Sequence, residues 1–487
     1  MPSRQDQLHS YQYSQQRVVA ALVSHDPDPH RSPLRRAGAT VLVSVVVAAL
    51  AVGGAAVYGL ITGNSSVKPR DDSVVFLEKD TGARYVYLKS DDKMHPVLNY
   101  TSALLIANAQ EPSMKSASRN SLAEVPLGDP LGIPNAPDTL PAAKDGLLPA
   151  IWTVCSQIPD GSGPKSVVSL GESISDGTLL PVPRADTPAA ELRGLLVSDP
   201  SDRTFLVYGN KRFLIPANRL EQTRVRFGWN QEPLKVAPAW VNAIPLGPDL
   251  AAPSIDGFGD DSEVAPGYQV GQVLLVKGDN GSPDQWGVVL KDGIADLTDV
   301  QARLLRAEPD FLGQKELDIT LYGSLANKAR SKTQLVTQAN ADGVPPSVPV
   351  LLNGPESVCA TYNASNNGAV SIRIGPTVPV GTAVVGSTTT QGDVQADQVK
   401  VPRGKGALVV STASPTAPAT IGTVSVITDT GRSYPLASRD LLSRLGYAGV
   451  TPAAIPTQLV GLLPVGPALD PERARQAITT VEDKPTN

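Results

Sequence analysis

Cysteine and histidine are nearly missing from this chain of 487 residues, which holds two of the first and four of the second. The histidines are His9, His25, His30 and His95, so the main body offers His95, Cys155 and Cys359 alone. A zinc site of thiolates and imidazoles cannot be assembled there. No D-x-[DN]-x-[DN]-G loop occurs either, which removes the usual calcium loop. Aromatics make up 5% of the residues, so cores should be modest. Basic runs are absent too. With a net charge of −5 there is nothing to hold a phosphate backbone, and nucleic acid is not an expected partner. Neither metal nor cofactor is expected.

Proline and glycine are plentiful instead. Their counts, 44 and 42, exceed ordinary usage by about half. Such a chain reads as loops and short strands, and its length allows several small cores.

Only one long apolar run exists. ATVLVSVVVAALAVGGAAVYGLI (39–61) lies in a stretch without charge from Ala37 to Val67, and as a helix it would reach about 34 Å. The run is twice as long as a signal-peptide core and a polar segment of 36 residues precedes it, so it reads as an uncleaved anchor. Arg31, Arg35 and Arg36 precede it, which puts the N-terminus in the cytoplasm and the rest outside. On the inner side, Leu8, Tyr11, Val18 and Leu22 recur at helical spacing and form a stripe suited to a cytosolic partner. The helix lacks the Lys/Arg-rich polar face of lipid-surface helices. His9, His25 and His30 read as solvated.

The outer body repeats itself. VPLGDPLGIP (125–134) returns as IPLGPDLAAP (244–253) and LLPVGPALDP (462–471). Each phrase closes a strand–turn–strand–turn–strand–helix pattern beginning near Val74, Leu195 and Val424. A further copy begins at Val273, with its phrase degenerate in VPPSVP (344–349). From first strand to phrase the distances are 52 residues (Val74 to Pro126), 50 (Leu195 to Pro245) and 40 (Val424 to Pro464). One hairpin and helix bury a single small face, so copies should dock on neighbours. Two stretches fit no copy, 143–190 and 350–415, and each carries one cysteine. They are expected to form one central β-domain tied by a Cys155–Cys359 disulfide, given an oxidising compartment and an even count.

Catalytic motifs fail on inspection. GSGPKS (161–166) and RGKGAL (403–408) lack the upstream glycine of a P-loop. A Ser-His-Asp triad outside the membrane would have to use His95, which reads as a turn or packing residue. The pairs Asp91-Asp92 and Asp260-Asp261 read as solvated rather than as glycosidase acids.

DTGARYVYLKSDDKMHPVLNYTSALLIAN (80–108), GRSYPLASRDLLSRLGY (431–447) and LLPVGPALDP resemble the repeats of EccB, a core membrane component of actinobacterial type VII (ESX) secretion systems. QLHSYQYSQQRVVAAL (7–22) is similar to that family's cytosolic helix, although Gln16-Arg17 stands where the family usually has paired arginines. The resemblance implies an extracytoplasmic body of four repeats around a central disulfide-bearing domain, anchored in the cytoplasmic membrane. It also implies assembly with an EccC-type ATPase, EccD, EccE and the mycosin protease, and self-association through the outer domains. The family is sometimes labelled an ATPase.

The expected class is thus α+β, with a single transmembrane helix and an elongated repeat body. Its order would be a cytosolic segment (1–36), the span (37–63), repeat 1 (74–142), a first central segment (143–190), repeat 2 (191–255), repeat 3 (270–349), a second central segment (350–415), repeat 4 (416–471) and a tail (472–487). The expected function is a non-enzymatic scaffold for protein export. A membrane-anchored wall-binding module is the alternative, and it would need exposed aromatics among Trp152, Trp229, Trp240 and Trp286.

Overall fold

The computed structural model describes residues 3–25, 33–62, 68–158, 163–184, 186–278, 282–353, 356–384, 394–414 and 417–478. The chain divides into two units, the first made of residues 1–95 and 114–128, the second of 96–113 and 129–487.

In the first unit an N-terminal helix spans Arg4–Ser24. Ser3 caps it: its hydroxyl accepts from the Asp6 amide, and Asp6 accepts from the Ser3 amide in return. His25 ends it in the left-handed conformation. The apolar helix Pro33–Thr62 starts on a proline, whose missing N–H would be unsatisfied there anyway. Its segment Gly38–Tyr58 is long and apolar enough to cross a membrane, and no protein surface covers it. The unit also holds a four-stranded sheet in the order Lys93–Pro96, Arg84–Leu88, Val74–Glu78, Ser113–Ala117. Val74, Phe76, Tyr87, Met94, Ala117, Leu122 and Val125 form its core.

Three further sheets in the second unit follow that same strand order. In the second copy Arg193–Ser198, Thr204–Tyr208 and Lys211–Ile215 form an antiparallel meander, and after a helix Leu234–Lys235 returns parallel to the first strand. The third copy uses Val273–Val276, Gln285–Leu290, Gly293–Leu297 and, in parallel, Gln314–Leu317. The fourth uses Ala407–Thr412, Val424–Ile427, Ser433–Pro435 and, in parallel, Ala453–Pro456. This corrects the boundary drawn at 416. The first strand of the fourth copy, Ala407–Thr412, lies before it, and its antiparallel partner begins only at Val424. Hairpin partners are usually two to five residues apart in sequence, so this long separation hid the pairing.

Strands from 151–179 and 357–400 interleave in one seven-stranded sheet. Ile151–Gln157 and Ser357–Asn363 pair antiparallel at its centre, with Cys155 directly opposite Cys359. Because side chains alternate across a strand, Trp152, Val154, Val358, Ala360 and Tyr362 point to the other face. That face forms the largest core together with Leu195 and Val197 of the second copy and Val409, Ile427 and Ile455 of the fourth. Helix Tyr100–Ile106 belongs to the same unit, and its last carbonyls, Leu105 and Ile106, accept from Arg444 and Arg475.

Candidate functional site

The closing phrases have a defined seat. Each lies parallel to the third strand of its own copy and covers that sheet edge. In the first copy the Met94 amide donates to the Pro126 carbonyl (2.8 Å), and the Gly128 amide donates back to Met94 (2.9 Å). Arg212 makes the same exchange with Pro245 and Gly247, and Ser433 with Pro464 and Gly466. Edge amides that would otherwise template another strand are thereby used up.

The residue after each exchanging strand position carries a ring that packs on the phrase glycine. A Cβ added at Gly128 would lie 2.3 Å from His95 Cε1, one at Gly247 2.4 Å from Phe213 Cε1, and one at Gly466 2.3 Å from Tyr434 Cε1. No side chain fits there. The glycine is required by close approach, as the proline is by the exit from the preceding helix.

The third copy shows what happens without the ring. Ile294 exchanges hydrogen bonds with Ala329 and Ser331, so the counterpart of the phrase is Ala329–Arg330–Ser331. This corrects its assignment to VPPSVP (344–349). Ala295 stands in the ring's place, and Ser331 in the glycine's. The stretch 344–349 instead leads into Val350–Leu351, which pairs parallel with Arg193–Gly194 and ties the third copy to the sheet of the second.

His95 is thereby explained as a packing residue. It is buried beneath Gly128, with Nε2 3.0 Å from Asp91 Oδ2. The adjacent Asp92 accepts from Arg70 and from the Tyr87 hydroxyl, and these bonds hold its carboxyl below the usual range. Lys291 lies 3.3 Å from Asp256 and 4.0 Å from Asp260.

Among the described residues both P-loop-like strings lead into strands. Lys165 opens the strand Lys165–Leu170, and RGKGAL runs into Ala407–Thr412. Phosphate cradling needs a helix N-terminus after the loop, and a strand offers none. Lys405 is moreover donating to the Asp145 carbonyl. All four tryptophans are buried, so none of them forms an exposed stacking platform. Among the described residues no group of three His, Cys, Asp or Glu could hold a metal. His9 and His25 are exposed, and His30 lies outside the described residues.

Cys155 and Cys359 form a disulfide that closes 204 residues of sequence. On the N-terminal helix Leu8, Tyr11, Val18 and Leu22 are all exposed. So are Tyr13, Val19 and Val23, which makes the apolar surface broader than the stripe read from spacing.

The family model described as type VII secretion system ESX-1, transport TM domain B (EccB) matches residues 1–482. The chain belongs to the EccB family. ESX-3 secretion system ATPase EccB3 of Mycolicibacterium smegmatis is 25% identical over 99% of this EccB chain and 92% of its own length. ESX-5 secretion system ATPase EccB5 of Mycobacterium tuberculosis is 27% identical over 96% and 92%. Among solved structures, a chain of the intact ESX-5 inner membrane complex aligns with a TM-score of 0.66 at 22% identity, covering 100% of this chain and 98% of that one. The EccB3 dimer from the ESX-3 core complex aligns with a TM-score of 0.59 at 24% identity, over 83% and 100%. These likenesses establish the α+β fold of this EccB protein.

Proposed function

We propose that this EccB chain is a structural subunit of a type VII secretion membrane complex, supporting export through its extracytoplasmic repeat body. The observation that carries the reading is the combination of one membrane-length helix with a body of repeated sheets whose edges are closed by their own phrases. A body of this kind suits a subunit that offers docking surfaces to its neighbours. The Arg31, Arg35 and Arg36 flank supports a cytoplasmic N-terminus and an extracytoplasmic body. The exposed Leu8, Tyr11, Val18 and Leu22 would then dock a cytosolic partner, an EccC-type ATPase in the first instance. EccD, EccE and a mycosin protease complete the expected set, and the relatives' presence in an ESX-5 inner membrane complex and an EccB3 dimer supports both assembly and self-association.

The relatives carry ATPase in their names. For this chain the strand-bound Lys165 and the carbonyl-bound Lys405 support energy supply by a neighbour instead. Burial of all four tryptophans weighs against the wall-binding alternative. The test is to tag the C-terminus, extract membranes in mild detergent and identify what copurifies. A large particle containing an EccC-type ATPase is the expected result. A lone monomer or dimer that sediments with peptidoglycan would overturn the proposal.

A further inference from the structure

Beside the ring seat of the fourth copy lies an open cavity of about 630 Å³, lined by Tyr434 and Gly466 themselves. Arg432 lines it from the hairpin turn, where the Thr428 amide donates to the Arg432 carbonyl at 3.2 Å. Arg473 lines it from helix Pro471–Ala474, which Asp470 caps by accepting from the Glu472 amide at 2.9 Å. Two guanidiniums therefore share one cavity, and among the described residues no carboxylate lines it. The acids nearest in sequence are placed elsewhere. Asp429 accepts from the Gly404 amide, Asp470 makes the cap, and Glu472 is exposed outside the lining. Arg473 is exposed and has no carboxylate partner among the described residues. Arg432 is half-buried, and its guanidinium carries five N–H donors, so one partner does not exhaust it.

The second copy shows what covers the equivalent place. Arg212 and Ser433 make the same exchange with their phrases, so Lys211 is the counterpart of Arg432. Lys211 donates to the Asp342 carbonyl at 2.7 Å, where helix Leu335–Asp342 ends. A cation beside a phrase is thus met there by polypeptide of the same chain. In the fourth copy the corresponding cation faces the cavity.

We propose that this cavity docks an acidic peptide segment of a partner protein, with Arg432 and Arg473 each taking a side-chain carboxylate. Guanidinium forks match carboxylates bidentately, and two of them without an acid in the lining call for two negative charges. The remaining surface favours a peptide over an inorganic anion. Pro134, Pro467 and the Tyr434 ring give the cavity apolar walls, which a small ion would leave uncovered. Neighbouring Asp or Glu residues bring both the charges and the backbone and methylene surface to fill it.

The experiment uses the full chain in a neutral detergent and a buffer of low salt. Fluorescence anisotropy compares a dye-labelled peptide of alternating Gly-Glu-Asp units with its Gly-Gln-Asn counterpart, and pyrophosphate is titrated separately by calorimetry. The acidic peptide should bind at least about tenfold more tightly than the neutral one. Arg432→Gln and Arg473→Gln should each weaken it about tenfold or more. Arg439→Gln should leave it unchanged, since Arg439 donates to the Ala419 carbonyl outside the cavity. Arg473 is exposed, so its variant keeps the test valid even if Arg432→Gln fails to fold. The isolated chain suffices for binding, so the outcome does not depend on the assembly proposed above. Equal affinity for the two peptides, equal affinity in Arg473→Gln and the parent, or binding of pyrophosphate without the acidic peptide would each overturn the proposal.

Discussion

The second and third copies hold the equivalent edge of their own sheets in two ways. In the second, Phe213 is wholly buried against Gly247, and backbone exchange through Arg212 sets the register. The third keeps the exchange through Ile294 but has Ala295 and Ser331 in place of ring and glycine. The glycine is needed where the ring occupies its Cβ space, and where Ala295 replaces the ring a serine is tolerated in the glycine's place. What remains is anchored by side chains: Ser331 donates to Asp292 at 2.6 Å, and the Lys332 amide donates to the same carboxylate. One seat is apolar and shape-specific; the other is polar and tolerant.

The strongest way to break this comparison is Phe213→Ala, which should cost about 3–5 kcal/mol by cavity formation. Denaturant unfolding of the detergent-solubilised chain reads the loss. Next comes removal of the disulfide by Cys155→Ser with Cys359→Ser, at about 2–5 kcal/mol on the loop-entropy view. It ties the central sheet alone, so it should lower stability without changing the contrast between copies. Unaltered melting under reductant would contradict this.

Gly247→Ala should cost about 1–3 kcal/mol by overpacking, and should become nearly neutral once Phe213→Ala is present. The equivalent Ser331→Ala in the third copy should cost about 1 kcal/mol or less, by loss of one polar contact. A double-mutant cycle without coupling between Phe213 and Gly247 would remove the ring-and-glycine explanation.

The smallest effect concerns the first copy at low pH. There the Thr81 hydroxyl and Arg119 hold the Glu78 carboxyl below its usual range. A lowered folded value means stability that is present above the ordinary value of 4.5 and is lost as pH falls through the folded value. Glu78→Gln should therefore flatten the acid limb of a pH–stability profile. A profile of unchanged slope would show that Glu78 is not the group responsible.

Much of this was legible in the residues. The membrane-length apolar helix announced itself by length, and three phrases by repetition. The pairing of Cys155 with Cys359 followed from scarcity. What escaped were features without local pattern. The strand Leu234–Lys235 is two residues long, and Ser113–Ala117 is largely exposed and polar, so neither has hydrophobic periodicity to betray it. The ring seat needed two distant positions read together: His95, Phe213 and Tyr434 occur in the copies that keep the phrase, and Ala295 in the copy that lacks it. That internal covariation was available and is the signal that would have relocated the third phrase to 329–331.

A second regional contrast bears on function. The repeat sheets bury their large aromatics, whereas the N-terminal helix leaves Leu8, Tyr11, Val18 and Leu22 uncovered. The most direct test compares the tagged parent with a variant carrying serine at those four positions, both extracted in mild detergent and sized. The account predicts that the parent travels in a large particle with an EccC-type ATPase, and that the variant keeps a folded body and loses the ATPase. Identical small particles from both, free of any ATPase, would contradict it.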